Sequence, residues 1–400
     1  MKPVIIIPAF SRPLALSRLL ESINRSHFPS DEVKLIVSID GGASKDVEQV
    51  AKKFIFLHGN HEVISRENNM GLRKHILWCG DQTEKYEAVI VLEDDLYVDP
   101  YFYIYATSCL DFYKDDNNVS GIALYSPRHN QYAGLPFEPI YNGTSTYFMQ
   151  VPCSWGQAWT KKQWQEFREW YEDGKIEKVN KCLNIPKKVK SWSENSWKKY
   201  FAAYLVERNR YFVYPYISYS TNCSDAGGIH LKKGTNLFQV PLAYPSRKIE
   251  KLEFDYLEST IVSYDSFMEP SAEWMEKSLG LNHNSLTVDL YSSKNDEILN
   301  SKPLCLTSQK FGNLISRYPL SYRPIELNIL APKNEQSVSL YLVSTKSEKL
   351  KQRKLSIKLY QYNSYFYIWS KKFILSYLIN LPKEILKEII KGIKTHINIY

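Results

Sequence analysis

The sequence contains no C-x-x-C pair and no histidine at zinc-ligand spacing, and its six cysteines (Cys79, Cys109, Cys153, Cys182, Cys223 and Cys305) are scattered. Neither a structural zinc nor a disulfide-stapled scaffold is indicated, so the thiols read as reduced core residues. No window reaches the roughly 18 uninterrupted apolar residues of a membrane-spanning helix. The apolar run at residues 4–7 is too short for a signal peptide and is interrupted by Pro8 and Arg12, so a cytoplasmic chain is expected. Internal repeats, a Walker lysine motif and G-x-G-x-x-G are also missing. Solenoids and the two commonest phosphate-cradling loops are thereby excluded.

What is present is ordinary for a folded chain: 400 residues, 44% hydrophobic and 24% charged. That composition argues against disorder, and the length suggests two or three domains of about 150 residues. The net charge of +8 is unevenly placed, since residues 331–400 hold 13 Lys and Arg against four Glu and no Asp. The excess therefore sits in a tail rather than along a folded groove, which disfavours nucleic acid as a partner.

Over the first 125 residues, apolar runs alternate with helical patterns, the signature of a parallel α/β sheet. Residues 4–7, 35–39, 62–65, 88–92 and 119–124 read as strands. Leu16, Leu19, Leu20 and Ile23 form one apolar helix face, and Ser44 is placed to cap a short helix. Residues 161–171 and 197–208 look helical, joined by a Lys-rich connection. Residues 127–147, rich in Pro, Gly, Asn and Tyr, form a long loop of the kind that shapes substrate sites. The expected division is a catalytic domain over residues 1–236, an accessory region over 237–330 and a basic tail over 331–400. In that tail residues 337–343 and 355–362 are expected as strands and 373–397 as an amphipathic helix.

Ligands of open α/β sheets bind outside the carboxyl ends of the strands. Three such ends carry unusual polar residues: Pro8-Ala9-Phe10-Ser11-Arg12, Asp40-Gly41-Gly42 and Glu93-Asp94-Asp95. Three successive carboxylates repel one another and lose hydration unless a cation or donors meet them. Strand alternation puts Glu93 and Asp95 on one side and Asp94 on the other. Mg²⁺ or Mn²⁺ with a nucleoside diphosphate suits such a site, because the cation takes few protein oxygens and completes its shell with phosphate. Arg12 would add a charge for phosphate, and Asp40 an acceptor for a pyrimidine N–H. Asp-Gly-Gly is also plain turn chemistry, and the acidic run alternatively reads as a solvated turn capping the next helix.

Together with His75-Ile-Leu-Trp78-Cys79-Gly80-Asp81-Gln82 and Ser154-Trp155-Gly156-Gln157, these segments resemble the GT-A-fold glycosyltransferases, most of all the N-acetylglucosaminyltransferase I type and its bacterial family 2-like relatives. The resemblance covers roughly residues 1–236. It implies a Rossmann-like, mixed but mostly parallel sheet and an inverting, metal-dependent transfer from a nucleotide sugar, here a UDP-sugar. The strand-end segment with Arg12, Asp40, Glu93 and Asp94 would hold the nucleotide and Asp95 the metal. Family members place an acid in a Trp-Asp-Asp-Trp-like segment. The corresponding stretch, Trp192-Ser193-Glu194-Asn195-Ser196-Trp197, offers Glu194 as the base that takes the acceptor proton. Asp225 is the reserve, and His230, in a loop that orders over the diphosphate in the family, is a further metal or phosphate contact. Trp155, Trp159 and the tyrosines of residues 125–147 are placed to stack on sugar rings, although most aromatics must serve packing.

The acceptor expected is a glycan or lipid-linked sugar of a surface polysaccharide. Lys371, Lys372, Lys383, Lys387, Lys391 and Lys394 flank an apolar stripe, as on a helix docking on an anionic membrane. Two other readings remain: a sugar-nucleotide pyrophosphorylase, which would want a Gly-rich loop after the first strand, and a non-catalytic glycan- or nucleotide-binding protein.

Overall fold

The structure is a computed structural model. It describes every residue except 31, 174–178, 226–233, 237, 249–250, 261, 332–337, 347–348 and 365–400. His230 and the helix expected over residues 373–397 thus lie outside the described residues. The chain separates into two compact units, Met1–Arg353 and Lys354–Tyr400. In the second, residues 355–362 do not form the expected strand. Ser356 Oγ accepts from Leu359 N and starts a helix, Ile357–Asn363, because a side-chain cap at the N-terminus offsets the modest helix propensity of its tyrosines, isoleucine and asparagine.

In the first unit, β1 (Val4–Ala9), α1 (Pro13–Asn24), β2 (Val33–Ile39), α2 (Lys45–Lys53), β3 (Gly59–Ser65), α3 (Gly71–Asp81) and β4 (Ala88–Val91) succeed one another as the alternating pattern predicts. β4, β1, β2 and β3 lie side by side and parallel. Gln157–Thr160 then runs antiparallel between β4 and Val119–Ala123, and Tyr211–Pro215, Thr146–Met149 and Ser263–Tyr264 complete nine strands. The sheet is mixed and mostly parallel, as expected from the sequence. Its last strand comes from beyond residue 236. A separate four-stranded sheet (Leu286–Asp289, Leu304–Thr307, Leu314–Pro319 and Ser339–Ser344) likewise runs past residue 330.

Periodicity explains the core. Ile5, Ile7, Leu35, Val37, Ile90 and Leu92 pack with Leu16, Leu19, Leu20 and Ile23 of α1 into one buried cluster. Pro13 at the first helical position presets the entry of α1. Ser44 Oγ accepts from Val47 N and starts α2 as predicted. Trp159, expected among the sugar-stacking aromatics, is fully buried against Trp164, Trp197 and Phe201. All six cysteines are free; Cys182 and Cys223 are half-buried, and the other four lie in the interior.

Candidate functional site at the carboxyl end of the sheet

The parallel strands β1, β2 and β4 bring their three polar ends to one edge. Asp40 N donates to Ala9 O at 3.1 Å and Ser44 N to Phe10 O at 3.3 Å, so the first two ends are stitched together. Pro8 and Ala9 remain within β1, and Ala9 is buried in the core. Of this segment, Arg12 is the side chain seen to reach the acidic run.

Glu93, Asp94 and Asp95 form a turn, closed by Leu96 N donating to Glu93 O at 3.2 Å, and do not continue the strand. The alternation expected from an extended strand is therefore broken. Arg12 holds both aspartates, Nη1 to Asp95 Oδ2 at 2.7 Å and Nη2 to Asp94 Oδ1. Asp94 and Asp95 face the same guanidinium, and the Glu93 carboxylate takes no hydrogen bond from a described residue. Burial, and against it the Arg12 charge, leave the Asp94 carboxyl raised to about 6; burial and the neighbouring Asp95 raise that of Glu93.

Asp40 is buried and already engaged. Its Oδ1 accepts from Gly41 N at 2.9 Å and Met70 N at 2.8 Å, and its Oδ2 from Gly71 N at 3.0 Å. The residue thus ties the β2 turn to the start of α3. Gly41 permits that contact, because a Cβ there would sit 2.1 Å from the Asn68 carbonyl carbon. Of about four acceptor directions on the carboxylate, three are used and one remains for a ligand.

The reserve base Asp225 lies beside the acidic turn, because the strand Ser220–Asn222 pairs with Leu96–Val98. Cys223 N donates to Asp95 O at 3.0 Å and Asn222 Nδ2 to Asp95 Oδ1 at 3.2 Å. Both Asp225 oxygens are held by Arg18, Nη1 to Oδ1 at 3.1 Å, and this hydrogen-bonded pairing holds the carboxyl below its usual range. That makes Asp225 a poor proton acceptor. Glu194 sits elsewhere. It is exposed, and its carbonyl accepts from Arg73 Nη1 at 2.7 Å. The neighbouring Ser193, Asn195 and Ser196 face Asn69–Lys74 across a cleft of about 510 Å³, bordered by the same Met70 and Gly71 that Asp40 grips.

Three residues of this edge escaped the sequence reading: Arg18, Asn222 and Lys198. Lys198 lies in the first turn of the helix Trp197–Glu207. Its ammonium is 5.6 Å from the Trp155 ring centroid and 5.7 Å from that of Trp192, and it senses the Glu93 charge. Nothing in the local pattern distinguishes it from Lys199 beside it, which is buried and donates to Trp192 O.

The donor set fits a divalent cation. Asp94 and Asp95 are hard carboxylate donors at a strand end, and no three His, Cys, Asp or Glu among the described residues converge to hold a metal by themselves. A cation here would take its remaining oxygens from a bound diphosphate, beside or in competition with Arg12.

Residues 4–150 match the family model Glycosyl transferase family 2. Over that span the chain is similar to the glycosyltransferases of that family. The matched span contains β1 to β4, Arg12, Asp40 and the acidic turn. Among solved structures, TarS 1–349 of S. aureus is 19% identical over 55% of this chain and 60% of its own, with a TM-score of 0.38. A mannosyltransferase of Pyrobaculum calidifontis, in complex with GDP-Man and Mn²⁺, is 11% identical over 42% of this chain and 46% of its own, at a TM-score of 0.30. Glucosyl-3-phosphoglycerate synthase of Mycobacterium tuberculosis is 18% identical over 30% and 42%, at 0.24. The matched part thus spans about 60% of TarS 1–349. No curated protein matches the chain. No described helix is long and apolar enough to cross a membrane.

Proposed function

We propose that the chain is an inverting glycosyltransferase that moves a sugar from a UDP-sugar to a glycan or lipid-linked acceptor of a surface polysaccharide. One observation carries the reading: within the span that matches the family, three strand ends place Arg12, Asp40 and the Asp94–Asp95 pair at one edge. In this reading Asp40 uses its last acceptor direction for the uracil N–H, and Arg12 supplies positive charge for the diphosphate. Mn²⁺ or Mg²⁺ held by Asp95, with His230 as a further contact, would neutralise charge on the leaving diphosphate. Asp94 and Glu93 complete the polar wall.

Glu194 is the proposed base. Its loop precedes a helix whose start touches two clefts, since Ser193, Asn195 and Ser196 line the one beside Asp40 and Lys198 lines the one beside Trp155. A base between donor and acceptor fits in-line attack with inversion. Asp225 instead orients Arg18. The basic tail would dock on anionic lipid at the cytoplasmic face, where a lipid-linked acceptor lies.

Titration of UDP with and without Mn²⁺, followed by unfolding temperature, tests the donor half. At 100 times its Kd a ligand stabilises the fold by about 2.7 kcal/mol. Absence of a UDP shift under both conditions rejects the donor assignment. UDP binding without release of sugar from any UDP-sugar favours the non-catalytic reading.

A further inference from the structure

A second cleft, lined in part by Lys198, has a volume of about 120 Å³. Its walls include Tyr125, Trp155 and Phe238 as aromatic surfaces and Arg128, His129 and Lys198 as polar ones, and no Asp or Glu among the described residues lines it. The aromatics are preorganised. Trp155 packs edge-on to Tyr125 at 4.7 Å between ring centroids and against Phe238 at 4.9 Å, and the Tyr125 hydroxyl is anchored on Phe238 O at 3.0 Å.

The charge here is not held in a salt bridge by any described residue, although Lys198 lies within electrostatic reach of Glu93. Arg128 donates through Nη2 to the Tyr216 carbonyl at 3.0 Å and forms no salt bridge with a described residue. Lys198 makes neither hydrogen bond nor salt bridge with any described residue, and burial pulls its ammonium below the usual range. Burial and then Lys188 hold the His129 imidazole below its ordinary value. Two cations and no anion therefore line an aromatic slot next to a turn of three carboxylates. Burying an ammonium that no described residue hydrogen-bonds is unfavourable, and an incoming anion offsets that cost. Aromatic faces take the apolar side of a pyranose ring. The Lys-rich connection adds to the same sign at the rim, where Lys188 Nζ donates to Gln131 O at 3.2 Å.

We propose that this cleft is the acceptor subsite and that it selects a sugar residue carrying an anionic group, a carboxylate or a phosphate, which pairs with Lys198 and Arg128 while the ring lies against Trp155. The word acceptor rests on the proposed glycosyltransferase activity; the preference for an anionic sugar rests on the cleft alone.

The test is a ligand-observed NMR titration of the full chain with methyl β-glucuronide, glucose 6-phosphate and the neutral methyl β-glucoside, with UDP titrated in parallel. At least one anionic sugar is expected to bind about tenfold tighter than the glucoside, as for a hydrogen bond to a charged group. The carboxylate and phosphate arms identify which anion is preferred. Lys198→Gln and Arg128→Gln should each reduce that preference while UDP affinity holds, and two variants guard against one that fails to fold. Equal affinity for charged and neutral sugars, a preference unmoved in both variants, or binding of none of the three overturns the proposal. UDP binding without anion preference leaves the donor reading standing and removes this one. Anion preference without UDP binding upholds the cleft and removes the donor reading.

Discussion

At the end of β4, Glu93, Asp94 and Asp95 meet Arg12; next to the four-stranded sheet, Asp265, Glu269 and Asp289 surround Lys294. Both groups bring three carboxylates to little-exposed positions, and their hydrogen bonding differs. Lys294 Nζ contacts Asp265 Oδ2 at 2.6 Å and Glu269 Oε2 at 3.7 Å and also donates to Val288 O. Glu269 accepts from Leu290 N at 2.7 Å and Ser293 Oγ at 2.6 Å, and Asp289 from Ser293 N and Lys294 N. Every member is satisfied within the fold, so this cluster is a structural lock. At the acidic turn Glu93 has no such partner among the described residues. A site that is to receive charged ligands keeps its electrostatics incomplete, whereas a lock completes them.

The contrast breaks most sharply if the lock is opened. Lys294→Met leaves three carboxylates, two of them buried, without their cation and should cost about 3–5 kcal/mol of stability, read by urea unfolding. A loss below about 1 kcal/mol would make the cluster no lock at all. At the acidic turn the balance should reverse. Asp95→Asn keeps shape and the Arg12 contact, so stability should stay within about 1 kcal/mol while sugar transfer falls about 10²–10³-fold. Full Mn²⁺-dependent turnover in that variant removes Asp95 from the metal.

A smaller loss, about 10² in kcat with donor affinity retained, is expected for Glu194→Gln. If Asp225→Asn instead shows the larger kcat loss, the base assignment passes to Asp225. The smallest effect sharpens the comparison with an intermediate case. Glu326 is 2% exposed; Oε1 accepts from the Tyr264 hydroxyl at 2.9 Å, and Oε2 has no partner among the described residues. Burial raises this carboxyl from 4.5 to about 7. The native state therefore holds its proton more tightly than the unfolded chain. Its contribution is complete below the unfolded value and is lost as pH rises through about 7. Glu326→Gln should flatten the pH dependence of stability and add about 1–3 kcal/mol at pH 8, measured by unfolding at pH 5 and pH 8. An unchanged slope would show that the carboxyl is solvated.

Elements governed by short-range pattern were readable. Leu16, Leu19, Leu20 and Ile23 repeat at helical spacing because one helix face must be dry, and Ser44 caps because a hydroxyl meets orphan N–H groups three residues on. Arg12, Asp40 and Asp95 were legible as candidates because parallel strands bring their carboxyl ends to one edge. Their partners were not. A turn at Glu93-Asp94-Asp95 replaced the expected alternation, and Arg18 reached Asp225 across 207 positions of sequence.

The sequence by itself determined the α/β alternation, the strands of the parallel half of the sheet and the three polar strand ends, since hydrophobic period and turn chemistry act over a few neighbouring residues. Tertiary structure alone decided that Asp225 is spent on Arg18, that Trp159 is core while Trp155 lines a cleft, and that Lys198 rather than Lys199 stands beside the acidic turn. Those outcomes depend on which distant groups meet and on how much water each loses, and burial and charge pairing are properties of the assembled fold.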